Sequence, residues 1–251
     1  MLTELSPCRI IVLYSLPRSG STYVDKALRT YFTTHYGHIA LSELFNLNLP
    51  VQFQQNEFQL DLDSWKDVTY AESLDLQEHL KKRSERFDQL TSLSTEKYSL
   101  KVLGAQLDKK QAIRLMEEST VYFSYRENCW EHLLSFLISF QTNQFYESES
   151  IQWEPGSLVA DQEFFKKFCW LQLRYKMLRE IFPHAVEISF EQLLQKKGPY
   201  LRSLGFTKEF SWDQVEYPHK QNLKDKQLAF SNLEELKSWY RGSFLMEKHL
   251  L

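Results

Sequence analysis

What the chain has little of narrows the field first. Cysteine is scarce: Cys8, Cys129 and Cys169 are the three in 251 residues, an odd set with no CxxC spacing. A chain of this size has no need of disulfides, so they read as free thiols in a reducing compartment. Glycine and proline are sparse too, seven of each, with no repeat, low-complexity tract or linker-like stretch. Nothing marks a domain boundary, and residues 1–251 are expected to form a single domain. Neither sign of charge is in surplus: 30 Lys+Arg face 33 Asp+Glu, a formal charge of −3. No global field gathers nucleic acid, so an anion site must be built locally from a few groups. No apolar run approaches the ~18 residues of a membrane span. The opening Met-Leu-Thr-Glu-Leu lacks the basic and apolar regions of a signal peptide, and the expected location is cytoplasmic.

Material for a core is plentiful, with 43% hydrophobic and 15% aromatic residues against 25% charged. That balance excludes disorder for most of the chain. Arg9 to Leu16 (RIIVLYSL) is a β-branched, apolar run of the kind that forms a strand buried on both faces. It ends at Pro17-Arg18-Ser19-Gly20-Ser21-Thr22, after which Tyr23, Ala27, Leu28 and Tyr31 recur at helical spacing to about residue 34. Further strands are predicted at 99–103, 120–125 and 186–190, and helices at about 73–90, 108–117, 127–141, 161–181, 190–203 and 232–240. This alternation predicts an α/β fold: three layers, a central parallel sheet flanked by helices, the first strand central and a P-loop-like nucleotide site at the carboxyl ends of the strands. Residues 46–69 and 142–160 fit no element and have the length of lids or binding loops.

A loop between a buried strand and its following helix aims backbone N–H groups and the positive end of a helix dipole at one spot, which suits an anion such as phosphate. Against the nucleotide-binding pattern GxxxxGK[ST], the window Ser15 to Thr22 keeps Gly20 and the final hydroxyl but has Ser15 for the first Gly and Ser21 for the Lys. The cation has moved to Arg18, inside the loop. Without a Lys to hold β- and γ-phosphates, Mg-dependent triphosphate chemistry is disfavoured. An Arg and two hydroxyls suit a nucleotide whose 5′-phosphate leaves without a metal. The plain alternative is a Pro-Arg-Ser-Gly turn that caps the helix through Ser or Thr.

LPRSGST after a first strand resembles the 5′-phosphosulfate loop of the sulfotransferases that use 3′-phosphoadenosine 5′-phosphosulfate (PAPS) and release adenosine 3′,5′-bisphosphate (PAP). The resemblance implies PAPS as cofactor, held by Pro17, Arg18, Ser19, Gly20, Ser21 and Thr22, with no metal. Arg126-Glu-Asn-Cys-Trp-Glu-His-Leu-Leu-Ser135, following strand 120–125, is similar to the family's 3′-phosphate block, and Arg126 and Ser135 would converge on that phosphate. The pattern departs in one respect: the family's Arg commonly lies eight residues before the Ser, where this chain has Glu127, and Arg126 lies nine before. An amphipathic helix with Arg126 exposed is the alternative. Val186 to Phe190-Glu191, followed by Tyr200-Leu-Arg-Ser-Leu-Gly, looks like the family's strand and Leu-Gly turn, with Phe190 beside the adenine or simply a core aromatic. Lys220-Gln221-Asn222 is similar to the C-terminal nucleotide segment, or is a solvated basic loop.

Sulfuryl transfer needs a base for the acceptor hydroxyl. In His38-Ile-Ala-Leu-Ser-Glu43-Leu-Phe-Asn46 the carboxylate of Glu43 follows the first helix, and many members of the family carry Glu-x-Phe-Asn there. Glu43 is the expected base, with Arg18 stabilising the leaving phosphate; a Ser42 helix cap is the alternative. His38 and His35 are second choices. Lys101 adds charge beside the sulfuryl group, or is exposed. Tyr146 and Trp153 either stack on an acceptor or anchor a lid. The expected partner is a small-molecule or glycan hydroxyl acceptor. A P-loop kinase or phosphotransferase and a non-catalytic anion-binding scaffold remain as alternatives.

Overall fold

A computed structural model of the chain describes residues 9–44, 76–92, 97–104, 106–107, 109–142, 153–209, 211–212, 215, 226–243 and 245. The elements run β1 (Ile10–Ser15), α1 (Ser21–Tyr36), β2 (Ile39–Ser42), α2 (Leu76–Ser92), β3 (Tyr98–Leu103), α3 (Lys109–Glu117), β4 (Thr120–Tyr125), α4 (Cys129–Thr142), α5 (Gln162–Ile181), β5 (Val186–Ser189), α6 (Phe190–Lys196), α7 (Gly198–Ser203), a 3₁₀ turn (Lys226–Ala229) and α8 (Leu233–Arg241). The strands form one sheet in the order β2-β3-β1-β4-β5, and every pairing is parallel.

The central strand explains the architecture. Every residue of β1 is buried, and its side chains alternate between two cores. Ile10, Val12 and Tyr14 enter the cluster that includes Phe87 of α2, Leu115 of α3, Leu134 of α4 and Phe168 of α5. Ile11 and Leu13 enter the other, with Val24 and Leu28 of α1, Leu193 of α6 and Leu201 of α7. A strand covered on both faces is apolar along most of its length, which is why Ile10 to Tyr14 shows no polar alternation. Cys129 and Cys169 are free thiols, and no helix among the described residues is long and apolar enough to cross a membrane.

Two expectations change. The helix foreseen over 190–203 is two helices, α6 and α7, broken at Lys197, whose φ is 47°. Pro199 is the reason: a continuous helix would set its ring against the carbonyl four residues back, whereas it is accommodated in the first turn of a new one. The strand β2 was not foreseen. Four residues at the edge of a sheet carry too short a pattern to separate from a loop, and the alternative helix cap at Ser42 is replaced by a strand end.

Candidate functional site

Each strand delivers a polar or aromatic residue to the carboxyl edge of the sheet. β1 opens into the loop 16–20, β2 ends one residue before Glu43, β3 carries Lys101, β4 ends one residue before Arg126, and β5 ends one residue before Phe190. Ligands in open parallel sheets gather along this edge.

The loop is shaped by turning its carbonyls inward. Leu16 O accepts from Ser19 N at 3.2 Å and from Ser19 Oγ at 2.7 Å, and Pro17 O lies 2.8 Å from His132 Nε2. In this structure the Ser19 hydroxyl and N–H maintain the turn. Gly20 is the helix N-cap, with no side-chain cap, so the alternative of a Ser or Thr cap is not what the loop does. The first N–H groups of α1 have no acceptor within their own helix, as at every helix start. Arg18 sits in the left-handed region at φ 64°, and Gly20 follows at φ 82°. A Cβ at Gly20 would enter the ring of Phe190, so the loop packs directly against that ring.

Phe190 is thus a wall of the loop. It meets Tyr23 edge-on, and the Arg126 guanidinium lies over it at 5.1 Å. The one-residue offset of Arg126 has a structural answer. Glu127 turns toward the β5–α6 junction, where it accepts from Ser189 Oγ at 2.8 Å and its N–H donates to Glu191. Arg126 turns the other way, off the solvent-exposed alternative, and burial lowers its pKa from the ordinary arginine value while Glu191 and Glu131 oppose that effect. Its Nε is buried without a hydrogen-bond partner among the described residues.

Lys226 completes this side. Its ammonium donates to Ser135 Oγ at 2.7 Å and to Glu131 at 3.1 Å. Burial, then Arg126, hold Lys226 below the ordinary lysine value, with Arg18 adding to the shift and Glu131 countering it. Lys226 therefore feels the charges of both Arg126 and Arg18 in a partly desolvated place beside a hydroxyl. Sequence reasoning missed Lys226; the only signal was the basic tract that begins at Lys220.

The other side of the loop holds the expected base. Glu43 and Lys101 form an ion pair of 2.6 Å, with the lysine side chain 3% and the glutamate 13% exposed. Lys101 also reaches Thr22 Oγ1 at 3.4 Å, tying β3 to the loop helix, so the exposed alternative for Lys101 falls. Gln106 Nε2 approaches the second Glu43 oxygen at 3.4 Å while its own Oε1 accepts from Leu103 N at 2.8 Å. Arg86, buried on α2, donates to Leu44 O at 2.7 Å and anchors the turn that carries Glu43. Asp25, one turn into α1, is buried beside the pair: burial raises its carboxyl above the ordinary range, Lys101 and Arg29 oppose this, and Glu43 adds to it. Arg86, Gln106 and Asp25 had no motif to reveal them.

Other expected residues lie elsewhere. His38 is 1% exposed and packs against Phe32 and Tyr36, so as a substrate-facing group it is displaced by its burial in an aromatic cluster. His35 meets Tyr31 edge-on. Trp153 packs on the core, the anchoring alternative. Tyr146, Lys220 and Gln221 lie outside the described residues. Among the described residues no group of three or more His, Cys, Asp or Glu is placed to hold a metal ion.

No family model matches the chain, and no curated protein does. Two solved structures of retinol dehydratase are similar to it. One, in a complex with retinol and PAP, has 11% identity and a TM-score of 0.41, with 85% of this chain and 64% of that one covered. The other, in complex with androsterone and inactive cofactor PAP, has 13% identity and a TM-score of 0.41, with 82% and 62% covered. This chain thus spans less than two thirds of the length of either.

Proposed function

We propose that the protein is a PAPS-dependent sulfotransferase acting on a hydroxyl acceptor. The observation that carries the reading is Lys226, which donates to Ser135 Oγ at 2.7 Å and is held below the ordinary lysine value by burial and by the charges of Arg126 and Arg18, beside an Arg126 whose Nε is buried. Glu131 and Glu191 offset only part of the charge of these cations, and an anion of several charges would be favoured beside them. A nucleotide with phosphates at both 3′ and 5′ positions matches such a donor set, and the buried, unpartnered Nε of Arg126 supplies a donor for it. The offset that places Glu127 at the family's usual Arg position does not count against this, because Glu127 is occupied by Ser189.

PAPS supplies a sulfuryl group on a 5′-phosphate that can leave. The residues divide the remaining work. The N–H groups of Arg18, Gly20, Ser21 and Thr22 and the Arg18 side chain receive the 5′-phosphate and neutralise the charge that grows on it as its bond to sulfur breaks. Arg126, Lys226 and Ser135 receive the 3′-phosphate. Lys101, between Glu43 and Thr22, places positive charge beside the transferred group. Glu43 takes the proton of the acceptor hydroxyl as oxygen bonds to sulfur, through the oxygen that faces Gln106 rather than the one bound to Lys101.

A thermal-shift comparison tests the reading. Since a ligand stabilises by RT ln(1 + [L]/Kd), PAP without metal at one hundred times its Kd adds about 2.7 kcal/mol. PAP is expected to raise the melting temperature more than MgATP at equal concentration. The reverse order supports a P-loop kinase, and turnover of labelled PAPS with a hydroxyl acceptor separates an enzyme from a binding scaffold.

A further inference from the structure

His132 lies on α4, behind the loop, and has no part in the chemistry described above. It is 3% exposed, and its two ring nitrogens are both engaged. Nε2 lies 2.8 Å from the carbonyl oxygen of Pro17, and Nδ1 lies 3.3 Å from Nε2 of the Gln172 side chain, itself buried on α5. A carbonyl only accepts, so Nε2 must carry the proton; Nδ1 then accepts from the Gln172 amide. The ring of Phe168 closes the imidazole from the side at 5.0 Å.

We propose that His132 is the positioning residue of the anion loop, a neutral Nε2–H imidazole that holds the Pro17 carbonyl inward and thereby aims the Arg18 N–H outward. The peptide bond supplies the lever. In a trans peptide the C=O and the following N–H point in opposite directions, and the structure contains no cis peptide among the described residues. Fixing Pro17 O against His132 turns the N–H of Arg18 away from the protein interior. Rotating that peptide would present an oxygen lone pair, rather than a donor, to a phosphate. The left-handed φ of 64° at Arg18 makes the loop prone to such a rotation, because a non-glycine residue is held there only by its surroundings. A neutral ring is what this task requires. Burial keeps the imidazole from protonating; the Pro17 hydrogen bond opposes this, and the charges of Arg126, Lys226 and Arg18 add to the effect of burial. Gln172 completes a chain that runs from α5 through α4 to the loop, so two packed helices determine one peptide orientation.

This inference rests on the proposed nucleotide site, and the experiment separates the two. Isothermal titration measures PAP, AMP and adenosine binding to the wild-type protein and to His132→Leu, His132→Gln and His132→Asn. A Gln amide reaches the position of Nε2 and can donate to Pro17 O; an Asn amide is one methylene too short. His132→Leu and His132→Asn are expected to weaken PAP and AMP by the same factor, about tenfold or more, with adenosine unchanged, and His132→Gln to restore both to within about threefold. Equal behaviour of the Asn and Gln variants overturns the role of His132, as does nitrogen-15 NMR showing the proton on Nδ1 of the wild-type ring. A wild-type protein that binds neither PAP nor AMP overturns the nucleotide site and, with it, the purpose of the lock. If Leu fails to fold, the contrast between Asn and Gln still decides.

Discussion

Glu43 and Lys101 stand 2.6 Å apart across the edge of the sheet, one just past β2 and the other within β3. The pair is nearly dry, and that changes how the expected base must be tested. Glu43→Gln removes the basicity but also strips a buried ammonium of its counter-charge, a loss that costs about 3–5 kcal/mol when a buried pair is broken from one side. For the folded variant, kcat should fall about 10²–10⁴-fold. PAP affinity should stay within about twofold, or ~0.4 kcal/mol. Both are to be measured below the variant's own melting temperature. Normal turnover, or loss of PAP binding as the sole defect, removes Glu43 from the role of base.

Arg18 and the pair Arg126 and Lys226 should separate by ligand. Arg18→Ala should lower turnover about 10²–10³-fold, the scale of one lost donor to a developing anion. Arg126→Ala and Lys226→Ala should weaken PAP by about 2–5 kcal/mol while leaving AMP, which has no 3′-phosphate, nearly unaffected. Titration calorimetry with both ligands reads this directly. Equal losses for PAP and AMP would assign the two residues to stability instead.

Gly20→Ala should destabilise the fold. A Cβ there strikes the Phe190 ring, and a left-handed backbone costs an alanine about 1 kcal/mol more. With the overlap adding about 1–3 kcal/mol, the total is about 2–4 kcal/mol in urea unfolding. Combining it with Phe190→Leu should recover the steric part and not the backbone part. Full additivity of the two changes would mean that ring and loop are not in contact.

Stability should fall in mild acid because of His132. Burial holds its imidazole down to about 3, from an ordinary 6.5. Between those values the unfolded chain binds a proton that the folded one refuses, so unfolding becomes easier as pH drops. The contribution is complete above pH 6.5 and is lost progressively toward pH 3. Its full size is on the order of 5 kcal/mol. In urea melts at pH 7, 6, 5 and 4 the wild type should lose stability relative to His132→Gln, which has no titrating ring, as pH falls. Parallel curves would show that His132 already protonates in the folded state.

Much of this was legible in one dimension. The run RIIVLYSL specified a strand with both faces buried, and the change of period at Gly20 specified a helix immediately after it, because local sterics and hydrophobic spacing act over a few residues. The loop followed from the same stretch, since Arg18, Gly20 and Thr22 are near neighbours in the chain. Ser19 was legible as part of the loop but not as its inward brace, which depends on where one hydroxyl rotates.

The rest required the sheet to close. The order β2-β3-β1-β4-β5 brings Lys101 to Glu43 and Thr22, pairs that are 58 and 79 positions apart in the chain. Lys226, Gln172 and Arg86 likewise reach the site from segments with no motif of their own. The sequence by itself determined the strand, the loop, the helix and the kind of anion they suit, because those rest on short-range geometry and residue chemistry. Only the tertiary structure decided which cations meet, which of Arg126 and Glu127 turns toward the loop, and that His132 stays neutral behind it. Burial and the charge of distant residues set those outcomes, and neither exists until the chain has folded.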